Sequence, residues 1–426
     1  MKHILYSIAI AGILFSFACQ KESGDENDVR AKKMEDIRVS ENFHWKTSHS
    51  HGISLPDSIA QDGSPVYIAD KDRLYYKGPA LYNVYPVTVP SYVEAGDVKV
   101  YTSNPFGPSS KTTGLSQKGN DSDGDGINDN KDDFPNDPYR AFINNYPSSG
   151  FSSLIYEDLW PAKGDYDFND MVIDYSFDII TNASDQVVEI AATFVLRAIG
   201  ASYHNAFAFE LPSLSPDHII RTEGIQVPGS SFNISANGTE AGQSALNIIV
   251  FDNAYDILQH PGGGGGINVD PAMTHVQPDT MQIKLVFMEN GNPAPGASPV
   301  TSVNLNLPQE FNPYIIVNVP NDGRGREVHL PGKTASDLAD PAFFNTADDD
   351  SDAAAYDGSA ATNIKSYKSA GNYPWGLNIY ESFDYMISKE CILKGYLRFQ
   401  DWAEKGHHTN WYSVDNHTYR DYQFIY

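Results

Sequence analysis

Hydrophobic and polar residues alternate in short runs along most of this chain, the pattern of strands that bury one face. Between Phe43 and about Ser103, "VYIADKD", "ALYNVYPVTVP" and "DVKVYTS" read as strands separated by Pro, Gly and Asp turns. From about Tyr146 onward the expected strands are "FNDMVIDYSFDII", "QVVEIAATFVLRAI", "AFAFELP", "ALNIIVFD", "MQIKLVFME", "SVNLNLP" and "YIIVNV". In "VEIAATFVLRAI", Val188, Ile190, Ala192, Phe194 and Leu196 share one face, because successive strand side chains point to opposite sides. Runs of this length, with turn residues every ~8–12 positions, predict a mainly β fold of antiparallel β-sandwich domains. One short C-terminal α-helix is predicted in "SKECILKGYLRFQDWAEKG". There Ile392, Tyr396, Phe399 and Ala403 recur at helical spacing, with Ser388 at the start and Gly406 at the end.

Breaks in this pattern divide the chain. Residues 19–40 are polar, charged and poor in aromatics, and read as a flexible acidic tether. Residues 41–105 read as a small N-terminal β-sandwich-like domain, 106–145 as a linker, and 146–426 as a large β domain. Aspartate and glutamate total 55 against 29 lysines and arginines, a formal charge of -26 in 426 residues. Without a basic patch to displace counterions from a phosphate backbone, nucleic acid is excluded as a partner. The same balance suits divalent cations.

The start, "MKHILYSIAIAGILFSFACQ", places Lys2 before an apolar run from Ile4 to Phe17 and a small residue, Ala18, before Cys19. The run falls short of the ~20 residues that span a bilayer, so residues 1–18 read as a signal peptide. "SFAC" resembles the lipobox of bacterial lipoproteins, which implies a lipidated Cys19 and a membrane anchor made of acyl chains. The following "QKESGDEND" resembles the acidic export signal of surface lipoproteins, which implies an outer-membrane position facing the cell exterior. Cys391, the second of two cysteines, is then left without a partner, and no intramolecular disulfide is expected.

In "DSDGDGINDNKDD" the carboxylates stand close enough to repel. Asp121, Asp123, Asp125, Gly126, Asp129 and Asp132 occupy positions 1, 3, 5, 6, 9 and 12 of an EF-hand-type loop. A hard cation such as Ca2+ takes ~6–8 oxygens, and the alternation with a glycine at the sharp turn lets one loop wrap them around it. The expected ligands are Asp121, Asp123, Asp125, the Ile127 carbonyl, Asp129 and Asp132. Aspartate at the last position and the trailing "DFPNDP" depart from an EF-hand and resemble a thrombospondin type 3 repeat, which implies a calcium-wrapped linker. In "YEDLWPAKGDYDFNDMVIDY", Glu157 and Asp158 precede a short turn in which oxygen-bearing side chains alternate. This predicts a second calcium site at Asp165, Asp167, Asn169 and Asp170.

This second segment, with "FDNAYDIL", "GRGREVHLPG", "NYPWGLNI" and "LRFQDWAEKGHHTNWY", resembles the LruC domain of bacterial surface lipoproteins from about Tyr146 to the C-terminus. The resemblance implies a place on the cell surface and no established catalytic residues. The residues point the same way: no "GxSxG" elbow occurs, "HPGGGGGIN" lacks the ending of a phosphate loop, and His329 reads as structural. His49 and His51 share a strand face without a third ligand, and "ADDDSDAAAYDG" reads as a solvated acidic loop. The 26 Tyr, 21 Phe and 5 Trp supply rings for contact with a glycan or protein ligand. Together these features describe a calcium-binding, lipid-anchored cell-surface protein that is not an enzyme and that serves binding or adhesion. The alternatives are a glycan-binding component of a polysaccharide-uptake system and a calcium-dependent hydrolase.

Overall fold

A strand patterned on one face is stable only when it pairs sideways and packs that face on another layer. The computed structural model describes residues 31–107, 119–319, 321–358 and 364–426, and those from Ala31 to Tyr426 make one compact unit. The expected signal peptide, Cys19, the first part of the tether and residues 108–118 of the linker lie outside the described residues.

Residues 31–40, polar enough to read as tether, differ from that expectation. Met34 and Ile37 are buried, and the Ala31 and Arg38 N–H groups donate to Gln400 Oε1 (3.1 Å) and Glu404 Oε1 (2.7 Å). Two apolar side chains in a polar run suffice to dock it on the C-terminal region. The chain then forms β1 (Ser48–Ser54), β2 (Pro65–Ala69), β3 (Leu74–Pro79), β4 (Val84–Pro90) and β5 (Lys99–Tyr101). β1 pairs with β4, and β2 lies between β3 and β5, all antiparallel. The two small sheets share a cluster that includes Ile53, Val66, Ile68, Tyr85, Val87 and Val89.

Next come β6 (Phe142–Tyr146), β7 (Ser152–Tyr156), β8 (Met171–Thr181), β9 (Val187–Ala198), β10 (Ala206–Leu211), β11 (Arg221–Glu223), β12 (Leu246–Phe251) and β13 (Asp279–Val286). A minimal hairpin of β14 (Met288–Glu289) and β15 (Asn292–Pro293) follows, then β16 (Asn312–Val317), β17 (Arg326–His329) and β18 (Gly376–Ile379). One sheet runs β11-β13-β9-β8-β7-β18, with β6 paired to the far half of β8; the other runs β12-β10-β16-β17. As the alternation in β9 predicts, Ile190, Ala192, Phe194 and Leu196 are buried while Ala191, Thr193 and Val195 are partly exposed. The Phe194 ring meets Phe207 (5.2 Å) and Phe209 (5.8 Å) of β10, so the two sheets face each other as a sandwich. Burial of each such ring is worth about 1.5–3 kcal/mol.

Two segments depart from the sequence reading. "SVNLNLP" forms two helical turns, Ser302–Leu305 and Leu307–Glu310, not a strand. Thr301 Oγ1 caps the first by accepting the Asn304 N–H, and the Ser302 N–H donates to the Asp185 carbonyl, so local capping wins over pairing. The expected helix from Ser388 to Gly406 is two pieces, Ile392–Gly395 and Phe399–Lys405. Ser388 is no cap: its N–H donates to the Val269 carbonyl, and the Leu397 N–H goes to the Tyr419 carbonyl, which breaks the ladder between the pieces. Gly406, at φ +69°, ends the second piece as expected. Among the described residues no helix is long and apolar enough to cross a membrane.

Candidate metal centres

The acidic loop before β6 is shaped by its own carboxylates. Asp121 accepts the Gly124 N–H through Oδ1 (2.8 Å) and the Gly126 N–H through Oδ2 (3.1 Å), and both glycines are left-handed, as the tight winding requires. Asp123, Asp125 and Asp132 each use Oδ1 to accept an N–H two residues on, from Asp125, Ile127 and Phe134. Their Oδ2 atoms are buried and have no hydrogen-bond partner. Carboxylate oxygens of Asp121, Asp123 and Asp125 lie within 4.8 Å of one another. Asp132 is only 8% exposed, and burial, with repulsion from Asp125 and Asp123, pushes its carboxyl up to about 6. Three buried acceptors without donors, held beside further carboxylates, have the chemistry to hold a hard cation or to take up protons.

Asp129 is placed differently. Its Oδ1 accepts the Ser122 N–H (2.8 Å), and its Oδ2 accepts from the Ser122 hydroxyl (2.8 Å) and Asn120 Nδ2 (2.9 Å). It fastens the two ends of the loop. Ile127 anchors the loop by its side chain, buried against Ala141 and Phe142, and leaves its main-chain carbonyl as the candidate donor. The segment expected as a linker is therefore seated on the large sheet.

The second acidic segment joins β7 to β8. Tyr166 and Phe168 take left-handed φ values (61° and 54°) and bury their rings, and Asp165, Asp167 and Asn169 alternate with them. Carboxylate oxygens of Glu157, Asp165 and Asp167 come within 4.8 Å of one another. Glu157 Oε1 accepts the Phe168 N–H (2.8 Å). A Cβ at Gly164 would fall 1.6 Å from Glu157 Oε2, so only glycine lets that carboxylate reach the turn. Asn169 is turned away, its Nδ2 donating to the Met386 carbonyl (2.9 Å), and Asp170 Oδ2 accepts the Asp158 N–H (2.9 Å). The structure thus brings the carboxylates of Asp165 and Asp167 together with Glu157, while Asp170 acts on Glu157 by charge repulsion from beside that group. Glu157 was not among the expected candidates because it stands eight residues ahead of the alternation; its position just after a strand end was the available signal.

Burial raises every buried carboxyl here. Glu157 is held well above its usual range by burial and then by Asp170, Asp167 and Asp165; Asp170 by burial and Asp158; and Asp167 reaches about 7 through burial and Asp165. Asp158 is raised by burial alone, against the pull of Asn205 and Arg326. Such a group either takes up protons or holds a cation. Two other candidates have hydrogen-bond partners within the fold. His329 is buried with Nδ1 against Asn312 Oδ1 and Nε2 against Glu327 Oε2, both at 2.9 Å. Asp349, in the loop expected to be solvated, is buried and accepts the Trp160 indole N–H at 3.0 Å.

Residues 185–412 match the family described as "Domain of unknown function (DUF4842)". The chain belongs to the DUF4842 family. Both acidic centres of this DUF4842 protein lie N-terminal to the matched stretch. No curated protein matches it. Among solved structures it is similar to a chain from Bacteroides ovatus provisionally described as a lipoprotein, at 14% identity and a TM-score of 0.49, covering 95% of this chain and 97% of that one.

Proposed function

We propose that this DUF4842 protein is a calcium-binding, lipid-anchored cell-surface protein with a non-catalytic binding or adhesion role. The observation that carries the calcium reading is the set of buried, partnerless Oδ2 atoms of Asp123, Asp125 and Asp132. Calcium bound there would be held by Asp121, Asp123, Asp125 and Asp132 with the Ile127 carbonyl, and Asp129 would close the loop. The thrombospondin type 3 resemblance supports the same assignment. Glu157, Asp165 and Asp167 form the second candidate site.

The anchor reading rests on the lipobox-like "SFAC" and Cys19, and the outward-facing outer-membrane position on the acidic residues after it. The LruC resemblance supports a surface placement. Calcium titration of chelator-stripped protein tests the central part. The double variant Asp123→Ala, Asp125→Ala should bind about one ion fewer than the native chain. Unchanged stoichiometry would sink the loop assignment, and absence of calcium-specific binding in the native chain would sink the reading as a whole.

A further inference from the structure

A hollow of about 690 Å³ opens where the β2–β3 turn, the segment between β4 and β5 and the 410–416 loop meet. Its rim carries both signs of charge. Lys71 stands 3.6 Å from Asp72, and Asp97 and Asp415 share the remaining lining with Lys99. An anionic chain would meet carboxylates and a bare cation would meet ammonium groups, so an uncharged polar ligand suits this surface best. Asn410 adds an amide able to donate and accept, the pairing that adjacent hydroxyls require, and Asn416, whose Nδ2 donates to the Asn410 carbonyl at 2.9 Å, stands beside it. Tyr101, partly exposed, adds a flat ring for the C–H face of a sugar, while the Arg73 guanidinium, 5.5 Å from the centroid of the Tyr92 ring, already covers one face of Tyr92.

The floor is held before any ligand arrives. Arg73 Nη2 donates to the Tyr92 hydroxyl at 2.8 Å and pairs with Glu381 at 3.3 Å, and the Tyr92 hydroxyl itself bonds Glu381. Little ordering remains to oppose binding. A second hollow of about 320 Å³ adjoins the first through Asp72 and Arg73. It carries its own ring, Phe106, which is 47% exposed although large and apolar, beside Asn104 and Asn145. Two adjoining hollows, each with an aromatic face and amide side chains, fit a chain of rings better than a single one.

We propose that this double hollow binds a stretch of uncharged polysaccharide. The assignment deepens the non-catalytic binding role proposed above by naming its ligand class, and it rests on that reading. The test is affinity electrophoresis of the purified protein through gels containing laminarin, mannan, dextran or arabinoxylan, with polygalacturonate and heparin as anionic controls. At least one neutral polymer should retard the native protein, and Tyr101→Ala or Asn410→Ala should weaken that retardation about tenfold or more at unchanged melting temperature. No retardation by the four neutral polymers, retardation by the anionic ones alone, or variants that bind like the native chain would overturn the proposal. Calcium titration of the same samples separates the two readings: calcium binding without retardation removes the polysaccharide site and leaves the calcium reading intact.

Discussion

Lys77 Nζ pairs with Asp133 Oδ1 at 2.7 Å, and the residue before Asp133 is Asp132, whose buried Oδ2 faces no donor. Asp133 Oδ2 also accepts the Ile143 N–H (2.9 Å) of β6. On the same strand, the Asn144 amide exchanges two hydrogen bonds with the Lys77 main chain, at 2.7 and 2.9 Å. The acidic loop is therefore clamped to β3 on one side and to β6 on the other. A cation that fixes Asp132 also fixes the next residue, and with it the junction of the small sheets and the large one.

Lys77→Met tests that coupling. The Lys77 side chain is 11% exposed and that of its partner 31%, so we predict a destabilisation of about 1–2 kcal/mol, with Asp133 left facing a lost charge. Calcium should still bind. Hydrogen exchange should show calcium protecting β3 in the native protein and no longer doing so in the variant. Equal protection in both would mean that the loop and β3 are not coupled through this pair.

Asp132→Asn should act in opposite directions with and without calcium. Removing a charge that burial and its neighbours disfavour relieves repulsion, so the metal-free variant should be as stable as the native protein or more so, by up to about 1–2 kcal/mol. With calcium present the variant should lose most of the stabilisation that the ion gives the native chain, since a ligand bound only to the folded state stabilises by mass action. Thermal melts in calcium and in chelator read both signs.

The raised carboxyls set the pH dependence. Asp132 at about 6 and Asp167 at about 7 hold protons in the metal-free fold that the unfolded chain, near 3.9, has already released. The folded state thus binds more protons between about pH 4 and 7, and metal-free stability should fall as pH rises through that window. Calcium needs the same groups deprotonated, so its affinity should drop as pH falls below 7, by up to about tenfold per unit for each proton displaced. A calcium affinity unchanged from pH 7 to pH 5 would contradict the assignment of these carboxylates as ligands.

Cys391 offers a readout of the second candidate centre. Cys391 is 8% exposed, and burial pushes its thiol up to about 11. Its neighbourhood is tied to the acidic turn: the Ile392 N–H donates to the Tyr166 carbonyl (2.9 Å) and the Lys389 N–H to Asp167 Oδ2 (2.6 Å). In protein whose Cys19 is lipidated or replaced by serine, we predict that chelation speeds reaction of Cys391 with a thiol reagent, and that calcium slows it again. Glu157→Gln should blunt the calcium effect. A rate indifferent to calcium in the native protein would separate the 157–167 group from metal binding.

Much of the fold was legible because strand alternation is a local signal, and Ile190 to Leu196 shows it without interruption. The failures are places where one contact outweighs the pattern. "SVNLNLP" alternates like a strand, but the Thr301 cap and the Asp185 carbonyl turn it into helix. The helical spacing from Ile392 to Ala403 is real, yet Leu397 bonds to Tyr419, some twenty positions on, which no local pattern reveals. At the first acidic centre the spacing of Asp121, Asp123 and Asp125 translates into carboxylates that lie together, because one short loop supplies every side chain. At the second, Glu157 arrives from the end of β7, and only the Gly164 gap shows why it can reach Asp165 and Asp167.

The most direct measurement is isothermal titration of calcium into the chelator-stripped protein at neutral pH, with magnesium as the control and the double variant Asp123→Ala, Asp125→Ala alongside. Calcium-specific binding is expected in the native chain, with the loss of about one ion in the variant. If the native protein gives no calcium-specific heat, or if the variant binds calcium with undiminished stoichiometry, the buried oxygens of Asp123, Asp125 and Asp132 are not a calcium site.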